Sequence, residues 1–139
     1  GLDRHMPMVL IGAGNLGRTI ARHMDFDSSG FRLIGIFDNS VHIVGQTIRD
    51  LVVRDAAELE DFCRAHTPRA AVLCIPKEVA FETTQRLMEL GVNCFWNFSH
   101  YDLSLDFEGV IVENVHLGDS LMTLSYQINE AYPKTENQK

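Results

Sequence analysis

Three glycines near the amino-terminal end of the chain have the spacing of a phosphate-binding turn. The segment Met8–Ala21 joins an apolar run to a Gly-x-Gly-x-x-Gly sequence, and a helical pattern follows. In such a turn the first glycine allows a tight reversal, the second lets backbone approach a pyrophosphate, and the third lets the helix pack on its strand. The N-terminus of that helix then faces the phosphates. The residues predicted to form this dinucleotide site are Gly12, Ala13, Gly14, Asn15, Leu16 and Gly17.

A carboxylate follows at the distance expected for recognition of a ribose. Phe31–Phe37 predicts a second strand, and Asp38 closes it 21 residues after Gly17, near the usual gap of about 20. A carboxylate at this position accepts hydrogen bonds from the ribose and repels a 2′-phosphate, and Asn39, Ser40 and Val41 supply no arginine to offset that repulsion. Asp38 and Asn39 therefore predict NAD(H) in preference to NADP(H). The alternative is that the glycines form a structural turn and Asp38 caps a loop.

Composition bounds the possible functions. The 139 residues are 45% apolar, which is enough for one globular domain. The net charge of −7 makes this chain alone a poor nucleic-acid binder. Three separated cysteines and six scattered histidines form no metal-binding spacing and indicate buried intracellular thiols, so we expect no metal and a cytoplasmic protein. No apolar run approaches the roughly 18 residues of a membrane span.

Strand and helix patterns alternate along the chain, which predicts an α/β fold of the Rossmann type with a doubly wound, mainly parallel sheet and helices on both faces. We expect a linker at residues 1–7, the domain at 8–130 and a polar tail at 131–139. The predicted strands are 8–11, 31–38, 51–53 (as an edge strand), 70–75, 92–98 and 110–112. The predicted helices are 15–24, one capped by Asp55, one ending near Leu90 and one over 118–130.

Inward-facing positions are predicted for two of these helices. In the helix after Asp55 they are Ala56, Leu59, Phe62 and Cys63, and in the helix ending near Leu90 they are Val79, Thr83, Leu87 and Leu90. The last helix carries an apolar seam at intervals of four, three and four residues, Leu117, Leu121, Leu124 and Ile128. Periodicity leaves open whether this seam packs on its own sheet or on the helix of a homodimer partner.

Loops after several predicted strands converge at the point where strand order reverses, and a ligand is expected there. They are Gly12–Gly17, Asp38–Ser40, Pro76–Ala80 and the loop after Asn97. A pocket of Pro76, Val79, Ala80 and Phe98 would favour the uncharged nicotinamide of NADH over the cationic ring of NAD+. Ordinary core packing is the alternative for these four residues.

Motifs over residues 1–130 resemble the NAD(H)-binding domain of the Rex family, bacterial redox-sensing transcriptional repressors. They are Leu10–Arg18, Gly30-Phe31, Phe37-Asp38, Ile75–Ala80, Asn97-Phe98, Val112–Val115 and Leu124–Tyr126. The resemblance implies a homodimer that couples NADH or NAD+ binding to release of operator DNA. The DNA-reading domain would precede residue 1 and be missing from this chain. The cofactor residues implied beyond the glycine turn are Pro76, Glu78, Ala80, Asn97, Phe98 and Ser99.

The chain departs from the family pattern at four places. His23 and His116 stand where the family usually has Tyr and Asp, Phe81 replaces a usual Gln, and Ser99-His100 replaces Ala-Pro.

Two other functions are compatible with the fold. One is a dehydrogenase fragment, for which His100 is the best acid or base. The other is a CoA-binding module, against which Asp38 argues because its carboxylate would meet the 3′-phosphate.

Overall fold

The computed structural model describes residues 5–115 and Ile128. Seven strands form one sheet: β1 Met6–Ile11, β2 Phe31–Asp38, β3 Thr47–Ile48, β4 Leu51–Asp55, β5 Ala70–Leu73, β6 Cys94–Asn97 and β7 Ile111–Asn114. Three α-helices connect them: α1 Asn15–His23, α2 Leu59–His66 and α3 Lys77–Glu89. Among these described residues, no helix is long and apolar enough to cross a membrane.

The strand order is β3-β4-β2-β1-β5-β6-β7, and every neighbouring pair except β3 with β4 is parallel. The chain runs from β1 to β2, towards the β3 edge of the sheet, and from β5 to β6, towards the β7 edge. The switch point therefore lies between β1 and β5, where ligands bind beyond the carboxyl ends of the strands. The predicted Rossmann-type, doubly wound fold is confirmed.

Alternate residues of each central strand face two separate cores, because successive side chains of a strand point to opposite faces. Leu10 faces the core that includes Ile20 of α1, whereas Val9 faces the core formed with α2 and α3. Both strand residues are completely buried. Helices on both faces explain why β1 and β5 are almost uniformly apolar.

Two predictions at the border of the sheet are wrong. The strand at Leu51 is not an edge strand, because β3 pairs with it through a turn in which Arg49 has a φ of 56°. The predicted linker ends too late, since Met6 and Pro7 already pair with β2. The strand segments at the border of the sheet are too short to show an alternation of apolar and polar residues, so the sequence reveals neither feature.

Helical faces were predicted with mixed success. In α2, Leu59, Phe62 and Cys63 are buried as predicted, after an Asp55–Glu58 capping box. In α3 the buried residues are Ala80, Thr84 and Leu87, whereas Val79 is 41% exposed. The predicted stripe is wrong by one residue at Val79 and Thr83, whereas Leu87 is buried as predicted. Thr83 and Thr84 are equally plausible inward positions in the sequence.

The predicted last strand is present as β7 and runs parallel to β6. The predicted final helix, its seam and the polar tail lie outside the described residues, except that Ile128 is helical and half exposed. His116 also lies outside them, whereas His23 is exposed in the last turn of α1.

Candidate functional site

The glycine turn between β1 and α1 has the backbone geometry that the spacing predicts. Gly12 has a φ of +97°, and its N–H donates to the carbonyl oxygen of Phe37 at 2.8 Å. A Cβ on Gly12 would overlap with the carbonyl of Cys74, and one on Gly17 would overlap with the carbonyl of Gly12. Both positions therefore require glycine for close backbone packing.

Gly14 differs from the other two glycines of the turn. A Cβ placed on Gly14 would meet no atom within 4 Å, and its φ is −72°, which any residue can adopt. No packing constraint of the protein itself requires glycine here. The open space lies at the N-cap of α1, where the first N–H groups have no acceptor within the helix. An anion can approach the backbone closely at this position.

The Asp38 carboxylate is tied to this turn by two hydrogen bonds. Its Oδ2 accepts from the backbone N–H of Ala13 at 2.7 Å, and its Oδ1 accepts from that of Ser40 at 2.8 Å. A carboxylate has about four acceptor sites, so about two remain available. The half-buried side chain thus stands at the carboxyl end of β2, beside the turn and able to accept further hydrogen bonds.

The loop after β5 forms the next wall of the cleft. It consists of Cys74, Ile75 and Pro76, and Pro76 is the N-cap of α3. Pro76, Glu78 and Val79 are exposed, whereas Ala80 is completely buried. The exposed apolar surface of this segment therefore comes from Pro76 and Val79, and Ala80 adds nothing to it.

Two thiols beneath the cleft are held in the protonated form. Burial raises the pKa of the Cys74 thiol to about 12, at the end of β5. Burial also raises the pKa of Cys63 in α2, although the charge of Arg86 opposes this. All three cysteines are unpaired, and the described residues contain no cluster of groups arranged to hold a metal ion.

The residues at the carboxyl end of β6 are buried. Asn97, Phe98 and Ser99 are 2%, 8% and 2% exposed. Phe98 packs in the core next to Trp96, with ring centroids 4.9 Å apart. The Asn97 side chain makes its hydrogen bonds to neighbouring parts of this chain. Direct contact of these three residues with a cofactor stays a prediction.

The predicted site residues lie at the carboxyl ends of β1, β2, β5 and β6 and divide into two groups by exposure. The open or half-buried ones are Gly12, Gly14, Asn15, Leu16, Asp38, Asn39, Pro76 and Glu78. The buried ones are Ala13, Gly17, Ala80, Asn97, Phe98 and Ser99. Burial of Ala13 and Gly17 agrees with their place inside the turn, where only backbone faces the cleft.

One contact beside the cleft was missed by sequence reasoning. Arg18 donates from Nη2 to Oε1 of Gln46 at 2.9 Å, and Gln46 donates to the carbonyl oxygen of His42 at 2.7 Å. This contact joins α1 to the loop that follows Asp38. No local spacing relates Arg18 to Gln46, which lies 28 residues away in the sequence.

The sequence of this chain is similar to those of known proteins. The family model described as CoA binding domain matches residues 3–101. The redox-sensing transcriptional repressor Rex of Caldanaerobacter subterraneus subsp. tengcongensis is 47% identical over 130 residues, which are 94% of this chain and 58% of that protein. Rex of Caldicellulosiruptor bescii is 43% identical over 139 residues, all of this chain and 64% of that protein. The chain therefore spans about 60% of the length of these relatives.

Solved structures agree with the sequence comparison. The crystal structure of RSP, a Rex-family repressor, in complex with beta-NADH has a TM-score of 0.78 at 46% identity, and covers 94% of this chain and 63% of that one. The complex of RSP with beta-NAD+ and operator DNA gives a TM-score of 0.78 over 94% and 60%. An aspartate semialdehyde dehydrogenase from Vibrio cholerae, at 14% identity and a TM-score of 0.63, shows the fold alone.

Proposed function

Because the chain belongs to the CoA-binding domain family and is similar to Rex repressors over nearly all of its length, we propose that it is an NAD(H)-sensing domain of a transcriptional repressor. The observation that carries the proposal is the Asp38 carboxylate, fixed beside an open glycine at the N-terminus of α1. This pair can hold a ribose and a pyrophosphate at adjacent points. The similar proteins are named as repressors, not as enzymes.

Sensing requires that one redox form of the cofactor bind better, because a ligand shifts a conformational equilibrium only by its differential affinity. The nicotinamide ring is cationic in NAD+ and neutral in NADH. Exposed Pro76 and Val79 offer an apolar surface that favours the neutral ring. Glu78 is exposed beside them, but water screens its attraction for the cationic ring. The domain is therefore proposed to bind NADH more tightly than NAD+.

The partners follow from the relatives. In the Rex-family repressor RSP the NAD+ complex includes operator DNA, whereas the net charge of this chain is −7. DNA contact is therefore assigned to a part of the protein outside this chain. A homodimer formed through residues 117–128 would transmit the cofactor state between subunits, and a cytoplasmic location is consistent with unpaired thiols.

Isothermal titration calorimetry of this chain with NADH, NAD+, NADPH and CoA tests the proposal. We expect NADH to bind most tightly, NAD+ more weakly, and NADPH and CoA weakest because their extra phosphates meet Asp38. Equal affinity for NADH and NAD+ would contradict the sensing role, and tighter CoA binding would contradict the cofactor. A panel of small carbonyl compounds with NADH should show no oxidation, since a dehydrogenase would turn over.

A further inference from the structure

The buried amide of Asn97 makes an unusually complete set of contacts at the carboxyl end of β6. Its Nδ2 donates to the carbonyl oxygen of Tyr101 at 2.5 Å and to Oδ1 of Asn114 at 2.8 Å. Its Oδ1 accepts from the N–H of Ser99 at 3.0 Å and from the Ser99 hydroxyl at 2.6 Å. All four hydrogen bonds stay within the protein, so both ends of the amide are committed to fixing this region.

The contacts of Asn97 extend in two directions. Asn114 lies opposite it on β7, and its Nδ2 donates to Oδ1 of Asp102 at 3.4 Å. The Ser99 hydroxyl accepts from the N–H of Tyr101 at 3.3 Å. We call Asn97, Ser99, Tyr101, Asp102 and Asn114 the Asn97 network. It holds the first part of the β6–β7 loop against the end of the sheet.

An aromatic cluster attaches the same loop to α3. The ring of Phe81 lies 5.1 Å from that of Phe107 and 6.3 Å from that of Tyr101. Tyr101 also donates from its hydroxyl to Asp106. Phe81 lies in the second turn of α3, whose N-cap is Pro76, so the cluster holds the loop against the N-terminal part of this helix.

The position of this brace matters for the proposed cofactor. Asp38 at the end of β2 marks the ribose of the adenosine half, and the pyrophosphate sits on the turn after β1. The other half of a dinucleotide then extends towards the ends of β5 and β6. Because the Asn97 network and Phe81 fix the backbone there before binding, less ordering free energy is lost when the nicotinamide enters.

We propose that Asn97 is a positioning residue and that Phe81 is its counterpart on α3, together preforming the wall that receives the nicotinamide half. This inference rests on the proposed NAD(H) function and concerns a separate half of the ligand. Neither residue needs to touch the cofactor. This role of Asn97 is indirect, unlike the direct contact with the cofactor that the sequence predicts.

Two variants of this chain test the role, with NADH and ADP-ribose as probes. Asn97→Asp places a carboxylate oxygen against the oxygens of Tyr101 and Asn114, and Phe81→Ala removes the aromatic contact at a residue that is 38% exposed. In both we expect NADH to bind at least about fivefold more weakly and ADP-ribose to change by less than about twofold. Leu105→Ala, at an 81% exposed position of the same loop, is the control and should change neither.

Amide hydrogen exchange at Ser99 and Tyr101 should also become faster in both variants. Unchanged NADH affinity, or an equal loss for both ligands, would overturn the positioning role. If Asn97→Asp does not fold, Phe81→Ala decides the question alone. Normal ADP-ribose binding in the wild-type chain shows that the cofactor proposal survives such a failure, whereas absence of binding to either probe would remove both proposals.

Discussion

The two ends of the cleft use polar groups in opposite ways. At the adenosine end, Asp38 is held by two backbone N–H groups and keeps acceptor capacity towards the crevice. At the proposed nicotinamide end, the donors and the acceptor of the Asn97 side chain form hydrogen bonds within the protein, and the residue is 2% exposed. In the proposed function, residues with similar polarity therefore have different roles: Asp38 binds the ligand at one end, and Asn97 shapes a surface at the other.

Hydrogen-bond pairing within the fold distinguishes a side chain that can bind a ligand from one that only supports the site. A buried polar group must be paired, because leaving it unsatisfied costs about 1–3 kcal/mol. Asn97 is paired by the fold, so a ligand has no unmet hydrogen bond to satisfy there. The proposed selectivity for the redox state is therefore assigned to exposed apolar groups such as Val79, and the proposed strength of binding to the adenosine end.

Substitution within the glycine turn tests the adenosine end most strongly. Gly17→Ala should destabilise the fold by about 3 kcal/mol or more, because its Cβ meets the backbone of Gly12 and neither can yield easily. Gly14→Ala is the matched variant, since its Cβ meets nothing. We expect it to keep its melting temperature but to lose NADH affinity, because the methyl occupies the approach of the pyrophosphate. Thermal denaturation and calorimetry separate these results, and a stable Gly14→Ala protein with full affinity would contradict the site.

Removal of the carboxylate should have the next largest effect. Asp38→Ala should weaken NADH binding by about 1–3 kcal/mol, since hydrogen bonds from the ribose are lost. ADP-ribose carries the same adenosine ribose, so its binding should weaken to the same extent. The N–H of Ala13 also loses its acceptor. Asp38→Asn keeps an acceptor oxygen without the charge and should improve NADPH relative to NADH. Unchanged NADH affinity in Asp38→Ala, measured by calorimetry, would remove the main support for NAD specificity.

Much of the fold could be predicted because its signals are local. The apolar run of β1, the strand closing at Asp38 and the capping box at Asp55 each depend on nearby residues, and each is present. The strand β3 has only two residues, Thr47 and Ile48, and carries no periodicity. Its pairing depends on a turn at Arg49 in a left-handed conformation that glycine or asparagine usually occupies.

The site was predictable only where backbone spacing defines it. Gly17 is required by a contact with Gly12 in the same turn, and Gly12 by its positive φ and by a contact with Cys74 after β5. The spacing of the turn identifies both glycines in the sequence. The burial of Asn97 depends on Tyr101 and on Asn114, which lies 17 residues away across a strand pair. No sequence pattern predicts which groups form hydrogen bonds with a side-chain amide. The sequence therefore cannot show whether Asn97 supports the site or contacts the cofactor.

The apolar surface at the nicotinamide end sharpens the comparison through a smaller effect. Val79→Ser removes exposed apolar area at the start of α3, and should lower the ratio of NADH to NAD+ affinity by about twofold to fivefold. Glu78→Gln removes an exposed charge and should raise the same ratio only slightly. Calorimetry with both cofactor forms measures the ratio, and ADP-ribose affinity should stay constant in both variants. A larger effect of Glu78→Gln would show that charge, not apolar contact, selects the redox state.

The smallest expected effect concerns Cys74, which lies between the two ends and offers a rival source of redox sensitivity. Burial raises its pKa to about 12 from 9.0, so at pH 8 it carries about a thousandfold less thiolate than an ordinary thiol. Because the folded pKa is the higher one, its stabilising contribution is complete below pH 9 and is lost as the pH rises towards 12. We expect iodoacetamide to label Cys74 slowly in the native chain and at an ordinary rate in urea, as followed by peptide mass spectrometry. Dithiothreitol should leave NADH affinity unchanged. Rapid native labelling, or an affinity that depends on thiol reductant, would assign redox sensing to the protein rather than to the cofactor.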